Sequence, residues 1–439
     1  MKILTVIVAV CFLPGSARAQ PSPGGNEKPV QFTWTLQDVK KLAVEQNPDI
    51  KSAIANYNAA SKSVMEAEGG MLPKVDITSG LQETTLPSPG AGSSANLGKE
   101  LSYSSVVAGV SQLVYDFGKT LNDIAVNRAL GNAVEQQAEA VRLAVSLSAE
   151  LAFYSASSAE GLVAVARQGV AKFEETRRRI SAMVEAKARP SFDLSQADVE
   201  LSKARLNLIR AENDRELARI FLLKILGMPS ETSFNLAGNS SARLVDPGEI
   251  DLRKLTETAL QNRPELKRRE YELESARSAL LREKDGMYPV ISAGGWIGKY
   301  YGYYPNALDN AWGAGLSMTW NIFEGRKTTA RIGEFSAKVD AGSAELDKQR
   351  LTIESEVARG ALDLKRQFVT LKVARENLDN AGENARLAKL RYDAGVATFL
   401  ELLTADTALL EAQAFSVQTR YQYESALAFL ATAVNGPID

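Results

Sequence analysis

The chain has no histidine and a single cysteine, Cys11, among its 439 residues. Without histidine the commonest general base and the commonest transition-metal ligand are both missing, so catalytic triads and zinc sites are not expected. Cys11 lies in an N-terminal apolar run, which leaves the rest of the chain without a disulfide or a thiol nucleophile. Val10 is not the small residue that lipid attachment to Cys11 would require. Long hydrophobic runs are equally scarce. Past that N-terminal run no stretch of 18 or more apolar residues occurs, which excludes a transmembrane helix. A membrane-embedded part would have to be made of strands, and a wholly soluble periplasmic chain is the alternative. The net charge of only -2 gives no bias toward nucleic acid or acidic lipid. No cofactor and no enzymatic activity are expected. Chemistry by carboxylates, serine or lysine is open by composition, but no spacing supports it.

What is present begins with Met1-Lys2, the apolar run Ile3 to Leu13 and then Ala17-Arg18-Ala19. This is the layout of a secretory signal peptide, 1–19, with cleavage after Ala19 and an N-terminal extension over 20–34. Alanine, leucine, lysine, arginine and glutamate dominate long stretches, so long helices are expected.

An internal duplication organises the remainder. Asn47-Pro48 to Met71-Leu72-Pro73 has a counterpart in Arg263-Pro264 to Met287-Tyr288-Pro289, and both prolines pairs span 25 positions. Tyr115-Asp116-Phe117-Gly118-Lys119 matches Ile322-Phe323-Glu324-Gly325-Arg326, and Phe192-Asp193-Leu194 echoes Leu400-Glu401-Leu402. The first repeat, 35–226, reads as helices 35–72, 119–187 and 192–226 with strands 74–86 and 101–115. The second, 251–434, reads as helices 252–286, 326–393 and 399–434 with strands 290–300 and 311–322. An inter-repeat segment, 227–250, joins them and a tail, 435–439, follows. Leu143, Leu147, Leu151 and Tyr154, like Val357, Ala361, Leu364, Phe368 and Leu371, recur at helical spacing. A helix of nearly 70 residues reaches about 100 Å at 1.5 Å per residue. The flanking helices are about half as long, which suggests a column two helices wide. Such thin columns cannot bury all their apolar stripes alone, so association with other copies is implied.

The strands carry the clearest local pattern. In Trp312, Ala314, Leu316, Met318, Trp320 and Ile322 every second residue is apolar, with small or polar residues between. That is the lipid-out, lumen-in alternation of a transmembrane β-strand, although a half-buried strand of a soluble sandwich alternates in the same way. Trp312 and Trp320 are eight residues apart, about 26 Å at 3.3 Å per residue, matching two aromatic girdles. Trp296 and the tyrosines at 300, 301, 303 and 304 fit the same interface belt. The segment Pro87 to Ser94 reads as an outward surface loop. Four strands cannot close a barrel in lipid, so three copies would supply twelve.

With the paired repeats, the Met-x-Pro approach to each first strand, the Asp-Phe-Gly and Glu-Gly exits, and Gly395-Val396-Ala397-Thr398-Phe399-Leu400-Glu401 before the last helix, the chain resembles the TolC-like outer-membrane factor family. The resemblance covers nearly the whole chain beyond residue 19. It implies a mainly α fold with a membrane β-barrel part: a homotrimer with a twelve-stranded barrel above a twelve-helix periplasmic tunnel. It also implies a belt of short elements where the repeats join, here Gly227 to Ile250 with the ends of the chain, and the short tail after the last helix speaks against a large one. The expected place is the outer membrane. The expected partners are a periplasmic adaptor and an inner-membrane pump of ABC or RND type, passing small molecules or unfolded polypeptides outward. The family's aperture acids match Glu401 and Asp193, which would concentrate negative potential under threefold symmetry; a helix-start acid favoured by the macrodipole is the other reading. The family's further acidic position is Thr404 here, so a double ring is not expected. Tyr392 matches the bracing aromatic and Arg391 a pairing cation, while an ordinary amphipathic helix end would look the same. A soluble periplasmic adaptor or coiled-coil spacer is the rival function; adaptors usually have one hairpin, where two are seen here. Arg177-Arg178-Arg179, beside Glu174 and Glu175, reads as a solvated face.

Overall fold

The computed structural model describes residues 32–86, 99–237, 248, 251–302 and 311–436. The signal peptide, Cys11, residues 20–31 of the extension, the Pro87 to Ser94 loop, Tyr303, Tyr304 and residues 437–439 lie outside them. Fourteen elements follow in order: β1 (Phe32–Trp34), α1 (Leu36–Gln46), α2 (Pro48–Gly69), β2 (Lys74–Leu86), β3 (Lys99–Tyr115), α3 (Lys119–Glu185), α4 (Ser191–Leu226), β4 (Phe234–Leu236), α5 (Leu252–Asn262), α6 (Pro264–Asp285), β5 (Val290–Gly302), β6 (Ala311–Thr319), α7 (Lys327–Asp393) and α8 (Phe399–Val434).

Helix lengths agree between the halves: 11 residues for α1 and α5, 22 for α2 and α6, 67 for α3 and α7, and 36 for α4 and α8. The single helices expected over 35–72 and 252–286 are each two. Proline forces extended backbone on the residue before it and lacks an N–H to continue the ladder. Asn47 (ψ 130°) and Arg263 (ψ 120°) accordingly leave the helix, and Pro48 and Pro264 open the next one. Asn47 uses the break. Its Oδ1 accepts from the Asp49 amide at 2.7 Å, while its Nδ2 donates to the Ile225 carbonyl at 2.7 Å at the end of α4. Thr35 caps α1 reciprocally with Asp38.

The long helices are turned back by residues in the left-handed region. Lys187 (φ 56°) follows α3 and Gly395 (φ 77°) follows α7, and in both turns an amide reaches back five residues: Ala188 to Met183 and Val396 to Arg391. The seat is costless for Gly395 and sterically unfavourable for Lys187.

The strands form one antiparallel sheet in the order β2-β3-β5-β6. β6 ends at Thr319, not at 322 as the alternation suggests. Its last partner is Val290. Beyond that, Pro289 has no N–H, and the Met287 and Tyr288 amides already bond to Lys284 and Asp285. Trp320 therefore sits just outside the strand, donating its Nε1–H to the Met287 carbonyl at 3.0 Å.

A second, two-stranded sheet lies where the belt of short elements is expected, and only the pairing of its strands had no sequence signal. β1 pairs in parallel with β4, Thr33 opposite Asn235 and Trp34 opposite Leu236, so the N-terminal extension and the inter-repeat segment meet. Trp34 stacks on Phe234 with ring centroids 4.5 Å apart, and the Arg219 guanidinium lies 4.2 Å from the Phe234 centroid.

Among the helices α3 is central, packed by α1, α2, α4, α6 and α8, whereas α7 touches α5, α6 and α8. Three apolar cores result. One surrounds Phe153, Leu222 and Phe234 beside the small sheet; one surrounds Ile353, Leu364 and Leu430; the third surrounds Ile180, Tyr392 and Phe399 near the helix turns.

Candidate functional site

Directly opposed residues of antiparallel strands project to the same side of a sheet. The register therefore assigns two faces to the four-stranded sheet. Val75, Ile77, Leu81, Ile297, Trp312, Leu316 and Met318 share one, and each is between 60 and 90% exposed. The other carries Asp76, Thr78, Ser111, Ser292 and Ser317 among the glycines 80, 109, 294, 298, 313 and 315, with Lys74, Val107, Leu113 and Trp296 as its larger side chains. A greasy face with nothing against it, backed by a face of small and polar groups, suits hydrocarbon on one side and water on the other.

Trp296 does not belong to the aromatic girdle proposed with Trp312 and Trp320. It is paired with Gly109 and Gly313, on the small-residue face, while its neighbour Ile297 is opposite Trp312. Strand alternation decides this, because adjacent residues point to opposite sides. Trp312 and Trp320 lie toward opposite ends of the sheet, Trp312 next to the 303–310 connection and Trp320 beside the end of α6. Tyr301 is half-exposed, with the Lys299 ammonium 5.3 Å from its ring centroid.

At the far end of the long helices the structure brings together most of the aperture candidates. Arg391, in the last turn of α7, lies 3.6 Å from the Glu401 carboxylate in the first turn of α8. Glu401 also takes part in the cap of α8, its amide donating to Thr398 Oγ1 at 3.2 Å. Tyr392 is buried at 3% exposure and packs on Phe399, ring centroids 6.1 Å apart. Two guanidiniums from the other hairpin flank its ring, Arg179 at 5.6 Å and Arg189 at 4.9 Å. Arg179 also bonds to Asp393 at 3.1 Å. Asp193 occupies the first turn of α4, half-buried and without an ion pair among the described residues. Thr404 is exposed.

Sequence reasoning missed the most buried ion pair of this region. Lys172 of α3 lies 2.6 Å from Asp406 of α8, whose side chain is only 7% exposed. Burial pushes the Asp406 carboxyl above its ordinary range, and the hydrogen bond and charge of Lys172 oppose the shift. A signal existed: Asp406 follows Leu402 and Leu403 by four and three residues, so a helix must carry it on the buried stripe. The arginine run also does more than face solvent, since Arg177 is bonded to Asp198 at 2.5 Å and Arg179 to Asp393.

No described helix is long and apolar enough to cross a membrane, and no group of acidic residues among the described ones could hold a metal ion.

Residues 39–228 and 255–436 match the family model described as outer membrane efflux protein, and the chain belongs to that family. Nodulation protein T of Rhizobium leguminosarum bv. viciae is 23% identical over 386 residues, 87% of this chain and 77% of the relative. The probable efflux pump outer membrane protein TtgC of Pseudomonas putida is 22% identical over 393 residues, 86% of this chain and 78% of the relative. Among solved structures, the Campylobacter jejuni CmeC outer membrane channel superposes with a TM-score of 0.78 at 18% identity, covering 92% of this chain and 86% of that one. The fold is that of an outer-membrane channel with a helical tunnel, and the protein is the outer-membrane channel-tunnel component of an efflux system, its helices in the periplasm.

Proposed function

We propose that three copies assemble into one conduit, a twelve-stranded barrel continued by a twelve-helix tunnel. One observation supports this above all: the four-stranded sheet has its apolar face bare and its outer strands, β2 and β6, without partners among the described residues. In hydrocarbon each unpaired edge group costs several kcal/mol, so the sheet is complete only when β6 of one copy pairs with β2 of the next. The same logic applies to the helices. Leu206, Ile209, Leu217, Ile220 and Phe221 on α4 and Leu351, Leu362, Val369 and Val373 on α7 are exposed in one chain, and these two helices are the edges of its lower bundle. An α4 edge meeting the next copy's α7 buries both stripes.

Such a conduit receives small molecules or unfolded polypeptides from an inner-membrane pump of ABC or RND type through a periplasmic adaptor. At its periplasmic mouth Glu401 and Asp193, each present three times, form the negative aperture that favours cations. Arg391 holds Glu401 within its own hairpin, and Tyr392 binds the two hairpin tips together through Arg179 and Arg189. Opening is a shift in population toward helix pairs splayed apart at these contacts, which the adaptor stabilises. Thr404 supplies no second ring of charge.

The decisive experiment is the native mass of protein extracted from outer membranes in mild detergent. A species of three chains that requires detergent to stay in solution is expected. A detergent-independent single chain would overturn the conduit and favour a soluble periplasmic spacer.

A further inference from the structure

We infer that the inner wall of the barrel carries a binding step for organic cations with a flat aromatic face. The inference rests on the reading that the small-residue face of the sheet lines the lumen. Four residues lie in one row across the strands: Asp76 of β2 is paired with Gly109 of β3, Gly109 with Trp296 of β5, and Trp296 with Gly313 of β6. The row therefore reads carboxylate, gap, indole, gap.

Both glycines give their neighbours room. A Cβ on Gly313 would stand 2.8 Å from Trp296 Nε1 and 3.1 Å from Cε2, so the indole lies down against β6 where only glycine lets it. A Cβ on Gly109 would stand 3.5 Å from each Asp76 carboxylate oxygen, so that carboxylate leans over Gly109 toward the indole's side of the sheet. Neighbouring strands are about 4.8 Å apart, which puts the Asp76 and Trp296 backbones roughly 10 Å from each other. That is the reach of a single ring bearing an ammonium group.

Charge selects the ligand. The face of an indole carries negative quadrupole density and attracts cations, and the carboxylate repels anions. Asp76 makes no ion pair among the described residues; the nearest cation on its own face of β2 is Lys74, one pleat away and beyond ion-pair distance. Trp296, at 41% exposure, stands among the glycines 109, 294, 298, 313 and 315 on a face that also carries Lys74, Val107 and Leu113. A shallow site of this kind binds weakly, and weak binding is what a conduit needs to let its cargo leave. Threefold assembly would repeat it three times at one level.

The test is single-channel recording of the full-length trimer in planar bilayers, with blocker added from the extracellular side. Benzyltrimethylammonium should reduce the current at concentrations where tetraethylammonium and benzenesulfonate do so several times less. W296A and D76N should each raise the half-blocking concentration roughly three- to ten-fold, and W296F should retain most of the block. Unchanged block in both variants, or equal block by the anion, would overturn the proposal. The underlying reading is checked separately with a variant whose sole tryptophan is Trp296, the other three being phenylalanine, reconstituted in vesicles. Quenching by acrylamide and not by brominated acyl chains is expected. Quenching by the brominated chains would put Trp296 in lipid and sink the lumen assignment itself, whatever the blockers do.

Discussion

The two longest helices have the same length and different fates. α3 and α7 both run 67 residues, yet in one chain α3 buries nineteen of them and α7 ten. α3 is enclosed on several sides, and alanine dominates its contacts: Ala129, Ala133, Ala149, Ala152 and Ala156 let other helices come close. α7 lies at the edge of the bundle, and Leu351, Leu362, Val369, Val373, Leu387 and Leu390 remain exposed on it. Duplication copied the length of the helix but not its neighbourhood. A substitution in α3 should therefore damage the chain itself, while one on the outer face of α7 should damage only the assembly.

The largest effect should come from α3. Phe153 is 1% exposed within the first core, and Phe153→Ala should cost about 3–5 kcal/mol, read as a lowered unfolding midpoint in denaturant. Equal loss from trimming exposed Leu362 to alanine would erase the contrast between the helices.

Next in size is the link from α3 to α8. Lys172→Met leaves Asp406 buried without its cation; because Lys172 is one-third exposed, the cost should fall to about 1–2 kcal/mol. The pH dependence has a definite sign. Burial raises the Asp406 carboxyl above its ordinary 3.8, so the folded chain holds this proton more tightly than the unfolded one. Its contribution to stability is complete below 3.8 and is lost as pH rises through the folded value. Asp406→Asn should flatten the fall of the thermal midpoint as pH rises above 3.8, relative to wild type. A steeper profile in the variant would contradict the sign.

On α7, Leu362→Asp places a charge on a side chain that is 69% exposed in the single chain. Helix content and the unfolding of the chain should hardly change, while the proposed association into three copies weakens at least about tenfold, or 1.4 kcal/mol. Native mass against detergent-diluted concentration measures it, and an unaffected trimer would mean that this face stays wet.

The smallest effect belongs to Tyr392. Its Oη is buried and finds no hydrogen-bond partner among the described residues. Tyr392→Phe should thus change stability by no more than about 0.5 kcal/mol and leave the Arg179 and Arg189 contacts to the ring in place. A loss above about 1.5 kcal/mol would reveal a partner for the hydroxyl.

How far each of these regions could be read beforehand follows from the range of the forces involved. The apolar alternation from Trp312 to Ile322 announced a lipid-facing strand because side-chain alternation is local. Trp296 fits the interface belt by residue type, and only its pairing with Gly109 and Gly313 shows its face. Asn47-Pro48 and Arg263-Pro264 read as helix starts in both repeats, and the stop they impose on the helix before them follows from the extended backbone proline forces on its predecessor. Arg391 and Glu401 flank a short turn and could be joined from sequence, whereas Arg189 over Tyr392 and Lys172 beside Asp406 bridge residues more than 200 positions apart.

By itself, then, the sequence determined what depends on near neighbours: the helical stretches, the turns that close them, the alternating strands and the duplicated order. The tertiary structure decided the rest. It put α3 inside and α7 at the edge, joined β1 to β4 across two hundred residues, buried Asp406 against Lys172 and aligned Asp76 with Trp296. Those outcomes depend on which surfaces exclude water together, and no local spacing records that.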